Sequence, residues 1–339
     1  MPGRFKIVSM SPLPESFVEA LLAPYKSEIP GELVVVSVHG KPRDEVLREL
    51  SDADVVIGDH TFSMRVDAEM CKGMRKVKLL QQPSTGYDHI DVEACAENGV
   101  PVANAGGANS VSVAEYTIMA ALALLKRLLY AHAATVKGEW PQWRLMDLGT
   151  FDLQDKTWGI VGMGRIGREV ARRLKPFGVR TIYYDKVRRE GLEQELGVEY
   201  RSLPRLLRES DIVSIHVPLT SETRGMIGER ELRMMKPTAI LINPSRGEIV
   251  DEKALARAVA EKWIMGAAVD VYSVEPPPKD HPLLEVARGG EANLILTPHI
   301  AGANTDARTR IIQFSIANIV RVLKGGQPEG LVNSPKSRG

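Results

Sequence analysis

Cysteine is nearly missing from this chain: Cys71 and Cys95 are the only two in 339 residues. Both fall in helix-like segments, and two isolated thiols read as neither a disulfide framework nor a zinc site. The seven histidines, His39, His60, His89, His132, His216, His281 and His299, lack ligand-like spacing, so no metal site is expected. An excess of one charge is missing too. Lys plus Arg number 44 against 43 Asp plus Glu, and a net charge of +1 gives no pull toward nucleic acid or an anionic membrane. The most apolar stretch, Val111 to Leu125, is interrupted by Glu115 and falls short of a membrane span. The opening Met1-Pro2-Gly3-Arg4-Phe5-Lys6 has no apolar h-region, so no signal peptide is expected and a reducing cytoplasm is the default. Repeats and low-complexity tracts are absent as well.

What is present is an ordinary globular composition, 44% hydrophobic and 26% charged, at a length that favours two domains. The first hundred residues alternate β-branched runs at 5–9, 33–38, 54–57, 77–81 and 100–103 with helical segments near 16–22, 43–50 and 91–98. Runs apolar throughout, joined by helices, mean parallel strands covered on both faces. A long helix then starts at Asn109 or Ser110 and runs to about Arg127, apolar around most of its circumference and therefore buried, between two domains. Residues 138–143 read as an irregular, aromatic connector.

A second alternating series begins at Thr157. Strands are expected at 157–161, 180–184, 212–216, 238–242, 266–270 and 293–296, with helices at about 165–177, 203–209, 228–235 and 251–261. Six such strands match the doubly wound dinucleotide-binding architecture. The last helix, about 305–324, is long enough to return to the first domain, which makes that domain discontinuous.

Trp158-Gly159-Ile160-Val161 leads straight into Gly162-Met163-Gly164-Arg165-Ile166-Gly167, and a helix follows. Gly162 permits the tight turn, Gly164 lets the backbone approach a pyrophosphate, and Gly167 lets helix and strand pack closely. Free amides at the helix start hold phosphates. A bare G-x-G-x-x-G is weak evidence. Here an acid, Asp185, closes the next strand, where its carboxylate can accept the ribose hydroxyls and repel a 2′-phosphate. NAD is therefore expected over NADP, a preference that Lys186, Arg188 and Arg189 could soften.

Ligands of open α/β sheets bind beyond the carboxyl ends of the strands. Three of those ends carry Arg246, Glu275 and His299. Reduction of a 2-keto acid needs a proton donor that titrates near neutrality, and His does so. A carboxylate beside it, Glu275, stabilises the imidazolium and orients the ring. Arg246 is the planar, always-charged group suited to a substrate carboxylate. In the first domain, Gln81-Gln82 leads into Pro83-Ser84-Thr85-Gly86-Tyr87-Asp88, a turn whose amides could face a carboxylate. The expected site is a cleft between domains whose closure excludes water.

With these pieces in order, the chain resembles the D-isomer-specific 2-hydroxyacid dehydrogenase family over essentially its full length, in its glyoxylate/hydroxypyruvate reductase-like branch. The matching elements are 86–91, 109–115, the 162–167 loop with Asp185, and Arg246, Glu275 and His299. The resemblance implies an α/β fold of two doubly wound parallel-sheet domains. One is a flavodoxin-like substrate domain (1–103 plus 303–335); the other is a Rossmann NAD-binding domain (104–302) with a dimerisation arm at about 109–150. It implies His299 as acid/base, Glu275 as its partner, and Arg246 as binder of substrate carboxylate and carbonyl, with Thr85 and Gly86 as backbone donors. It places Arg165 and Ile166 with the glycine loop at the cofactor, Asp270 and the backbone of Pro244 near the nicotinamide carboxamide, and Val217 and Pro218 at the adenine. It implies a homodimer in which Trp140 and Trp143 can reach toward a partner's site.

Departures narrow the branch. Formate dehydrogenases of this fold lack the Glu partner. Phosphoglycerate dehydrogenases commonly carry Arg-Ser after the third strand, where this chain has Gly58-Asp59-His60-Thr61; Arg65 keeps a phosphorylated substrate open. Glyoxylate, hydroxypyruvate or a small aliphatic keto acid fits better. L-specific lactate and malate dehydrogenases place the glycine loop near the N-terminus, unlike this chain. An NAD-sensing corepressor could keep the same three polar residues, but no basic extension accompanies them.

Overall fold

Strands that are buried at every position need cover on both faces, and parallel pairing with crossover helices supplies it. The computed structural model describes residues 3–290 and 292–337, so Met1 and Pro2 of the leader reading lie outside the described residues. The chain divides into two compact units, Met1–Asn109 with Thr305–Gly339, and Ser110–Asn304.

The first unit contains β1 (Gly3–Ser9), β2 (Gly31–Ser37), β3 (Val55–Ile57), β4 (Leu79–Gln81) and β5 (Val102–Ala103). Their order is β2-β1-β3-β4-β5, all parallel, which is the flavodoxin-like doubly wound order. Helix Thr305–Leu323 packs Ile316, Ile319 and Val320 against Ile7, Val55 and Leu79 of this sheet. Buried Asn318 fixes it by donating to Gln81 Oε1 at 2.7 Å.

The second unit contains β6 (Thr157–Val161), β7 (Arg180–Tyr184), β8 (Glu199–Tyr200), β9 (Ile212–Ile215), β10 (Ile240–Asn243), β11 (Gly266–Val269) and β12 (Leu294–Leu296). Read from the other edge, the sheet runs β8-β7-β6-β9-β10-β11-β12, again parallel throughout. Its chain reversal lies between β6 and β9. Helix Arg165–Leu174 shows why these segments fold as they do. It buries Gly167, Val170, Ala171 and Leu174, one face at helical spacing, and leaves its arginines outside. Helix Ser110–Leu125 is buried on most sides and packs Tyr116, Ala120 and Leu124 into the same core as Trp158.

Several expectations are corrected. The second sheet has seven strands rather than six, because β8 is a two-residue edge strand too short to show a period. Helices Leu128–Val136, Glu190–Leu196 and Pro282–Arg288 were not anticipated, and residues 142–143, the end of the supposed connector, open helix Gln142–Asp147. The two cysteines are not isolated. Ala68–Gly73 and Val92–Glu97 run side by side, tied at their starts by the Asp91 amide donating to Val66 O at 2.8 Å. That brings the Cα atoms of Cys71 and Cys95 to 4.9 Å, and the two sulfurs form a disulfide. Among the described residues, no single helix is long and apolar enough to cross a membrane.

His216, directly after β9, is fully enclosed, and burial depresses its pKa to about 3. Its Nε2 meets Ser214 Oγ at 2.9 Å, the hydroxyl that also accepts Trp158 Nε1 at 2.8 Å. The folded chain therefore keeps this imidazole neutral, whereas an unfolded chain protonates it below about pH 6.5. The resulting stability is complete above that value and is lost as pH falls from 6.5 toward 3. Thermal unfolding across this range should show a weaker acid dependence in His216→Asn than in the parent chain.

Candidate active site

β10, β11 and β12 pair in register, Asn243 opposite Val269 and Val269 opposite Leu296. Three loops thus leave the sheet side by side, at spacings of about 4.8 Å. They carry Arg246, Glu275 and His299.

His299 has a left-handed backbone, φ +53°, which a non-glycine residue adopts at a cost of about 1–3 kcal/mol. What holds it there is Asp270, which has no exposed surface. Its backbone carbonyl accepts the His299 amide at 2.8 Å. Its side chain accepts the Ile300 and Ala301 amides, both at 2.8 Å, and the Thr297 hydroxyl at 2.5 Å. Thr297 Oγ1 in turn lies 2.6 Å from the Tyr116 hydroxyl, on helix Ser110–Leu125. Burial raises the Asp270 pKa, and these donors oppose the rise.

The imidazole meets Glu275: His299 Nδ1 lies 2.8 Å from Glu275 Oε2. A carboxylate only accepts, so the ring carries its proton on Nδ1, and Nε2 is the atom that can hold or release a second one. Glu275 Oε1 accepts the Tyr272 amide at 3.0 Å. Burial would raise the pKa of Glu275. The hydrogen bonds from His299 and the Tyr272 amide, with the charges of His299 and Arg246, more than offset this and bring it below the usual carboxylate range. Glu275 is thus ionised at neutral pH, and the charge of Arg246 is felt at the pair.

Arg246 follows a locked turn. Asn243 Nδ2 donates to Arg246 O at 2.9 Å, Asn243 Oδ1 accepts the Ser245 amide at 3.1 Å, and Ser245 Oγ donates to Ile215 O at 2.6 Å. Pro244 is buried within this turn.

The glycine loop sits at the reversal between β6 and β9. Gly162 has φ +100°, and a Cβ there would fall 2.8 Å from the His216 carbonyl carbon. A Cβ on Gly167 would fall 2.2 Å from Gly162 O, whereas one on Gly164 would meet nothing within 4 Å. Gly164 therefore leaves an open cradle at the start of helix Arg165–Leu174, where amides and dipole suit a pyrophosphate. Asp185, just beyond β7, accepts the Met163 amide at 3.0 Å and so lies against the loop. Val217 is half-buried and Pro218 exposed, directly after His216. These residues fit a dinucleotide.

The family model described as D-isomer specific 2-hydroxyacid dehydrogenase, NAD binding domain, matches residues 118–301. The chain belongs to that family. It is an NAD-dependent D-2-hydroxyacid dehydrogenase. A glyoxylate reductase of Korarchaeum cryptofilum is 42% identical over 289 residues, covering 85% of this chain and 85% of its own. One from Aeropyrum pernix is 40% identical over 331 residues, covering 94% and 96%. The crystal structure of Aquifex aeolicus D-lactate dehydrogenase, complexed with NAD and lactic acid, matches with TM-score 0.82 at 30% identity, covering 98% and 100%.

In the first unit of this dehydrogenase, Thr85 and Gly86 lie in the loop after β4. Ser84 Oγ donates to Gly86 O at 2.7 Å, Asn104 Nδ2 to Thr85 O at 2.8 Å, and Thr85 Oγ1 to Asn109 Oδ1 at 2.7 Å. After β3, buried Asp59 accepts the Thr61 and Met64 amides, each at 2.9 Å, and fixes the loop that begins at Gly58. His60 Nδ1 meets Ser11 Oγ at 3.0 Å at the carboxyl ends of β1 and β3. The loop-ordering roles of Asp270, Thr297 and Tyr116 were not foreseen. Of these three, the sequence reading placed only Asp270, at a strand end and, by resemblance, near the nicotinamide carboxamide.

Asp270→Asn offers an amide where Ile300 or Ala301 needs an acceptor. A buried donor left unpaired costs about 1–3 kcal/mol. Chemical denaturation should show a loss in that range, and turnover should fall because His299 is no longer held.

Proposed function

We propose that this dehydrogenase reduces a small 2-keto acid, glyoxylate or hydroxypyruvate in preference to larger or phosphorylated ones, with His299 as the acid. The observation that carries the reading is the 2.8 Å contact between His299 Nδ1 and Glu275 Oε2 beside the charge of Arg246. NADH, when bound, supplies the hydride that adds to the keto carbon. The His299 imidazolium gives its Nε2 proton to the keto oxygen, and ionised Glu275 stabilises that imidazolium. Arg246 binds the substrate carboxylate through a planar fork. Oxidation of the 2-hydroxy acid runs the same transfers backward. The roughly 40% identity to archaeal glyoxylate reductases over most of the chain supports the substrate class.

The same reading includes a preference for NAD over NADP. Two of the three cations near Asp185 that could receive a 2′-phosphate face acids: Arg188 donates to both oxygens of Glu193 at 2.8 and 2.9 Å, and Lys186 lies 3.6 Å from Glu222. Val217, Pro218, Arg165 and Ile166 line the cofactor, with Asp270 and Pro244 toward its carboxamide. It also includes a homodimer built on residues 109–150, where Trp140 and Trp143 are 81% and 73% exposed and a second copy would cover them.

A panel of 2-keto acids with NADH, followed by loss of nicotinamide absorbance, tests the activity. His299→Gln should lower turnover by roughly 10²–10⁴-fold and leave NADH affinity intact. Full turnover in that variant would remove His299 as the proton donor, and NADH binding without turnover of any acid would instead mark an NAD sensor. Asp185→Ala should weaken NAD more than NADP, and equal losses would contradict the ribose role.

A further inference from the structure

Glu252 opens the helix Glu252–Ala260 that follows the Arg246 turn, and only 13% of its side chain is exposed. Its carboxylate reaches the loop after β11. Oε1 accepts the Ser273 amide at 2.9 Å, and Oε2 accepts the Ser273 hydroxyl at 2.5 Å. Oε2 also lies 3.3 Å from Nε2 of buried His281. His281 Nδ1 accepts the Leu283 amide at 3.3 Å, so the ring proton sits on Nε2, toward Glu252. The His281 ring stands edge-on to Tyr272, with centroids 5.7 Å apart.

Gly247 presses against the same peptide. A Cβ there would fall 2.1 Å from the Tyr272 carbonyl carbon and 2.2 Å from the Ser273 nitrogen. The Tyr272–Ser273 peptide is thus contacted by both Gly247, next to Arg246, and the carboxylate of Glu252. The amide of that same Tyr272 donates to Glu275 Oε1 at 3.0 Å, and Glu275 faces His299 and the charge of Arg246. A charge-assisted pair of hydrogen bonds at low exposure is a strong tether, and small misplacement of an acid–base pair costs much rate.

We propose that Glu252 is a positioning residue: through Ser273 and Tyr272 it aims Glu275 at His299 and ties the Arg246 turn to the same loop. The proposal rests on the roles given above to His299 and Glu275. Glu252 itself touches neither substrate nor cofactor.

Glu252→Ala should lower kcat by about tenfold or more, with KM for the keto acid and NADH affinity changed by less than about threefold. A carboxylate nearby keeps an imidazole protonated to higher pH. The alkaline fall of kcat should therefore begin at lower pH in Glu252→Ala, in the direction given by Glu275→Gln and by a smaller amount. Glu252→Gln can still accept the Ser273 amide and donate to its hydroxyl, although its NH2 then faces the Nε2–H of His281, so a large part of the rate should return and the profile should move back toward the parent's. Ser273→Ala removes the hydroxyl bond alone and should shift the profile slightly the same way. It decides the matter if Glu252→Ala fails to fold. Parent-like kcat and pH profile in Glu252→Ala would overturn the proposal, as would a slower enzyme whose profile has not moved. His299→Gln and Glu275→Gln run alongside. If they too leave turnover and profile unchanged, the acid–base reading has failed rather than the role of Glu252 within it.

Discussion

The carboxylate of Asp270 holds a loop in a shape it would not otherwise keep. Left-handed backbone at His299 is unfavourable, and it persists because Asp270 accepts the amides on its C-terminal side, the Thr297 hydroxyl and, at its own carbonyl, the His299 amide. The imidazole is thereby fixed at the end of β12. Its partner sits at the end of β11, within reach because the two strands pair in register. The geometry of the His299–Glu275 pair follows from that placement.

Electrostatics divide the histidines by surroundings rather than by type. His216 is enclosed among core side chains, meets only hydroxyl chemistry, and is kept neutral with a pKa depressed to about 3. His299 is partly open and faces a carboxylate held ionised by its neighbours. Burial opposes charge in both regions, but only at Glu275 do donors and cations outweigh it. One imidazole is therefore a packing element beside the glycine loop, and the other is equipped to carry a proton.

Glycines mark where backbone meets backbone. Gly162 and Gly167 press the loop, the helix and the end of β9 together, while Gly164 leaves room for a ligand. Gly247 does the same between the Arg246 turn and the Tyr272–Ser273 peptide, so two loops that carry different functional groups share one surface. In the first unit the equivalent order comes from Asp59, whose carboxylate closes the loop beyond β3 on itself.

Sequence alone determined what depends on local chemistry and on period. Buried runs between helices dictated parallel sheets, the G-x-G-x-x-G element between strand and helix pointed to a dinucleotide, and the order of strand ends named Arg246, Glu275 and His299. Tertiary structure decided what depends on contacts between segments distant along the chain. A two-residue edge strand such as β8 has no period to read, and it exists because β7 offers it partners. Cys71 and Cys95 looked separate because nothing local says that their helices run side by side. The tether from Glu252 to Ser273 and the clamp of Asp270 on 297–301 were likewise invisible, since each joins groups whose proximity is created by neighbouring strands leaving one sheet at the same level.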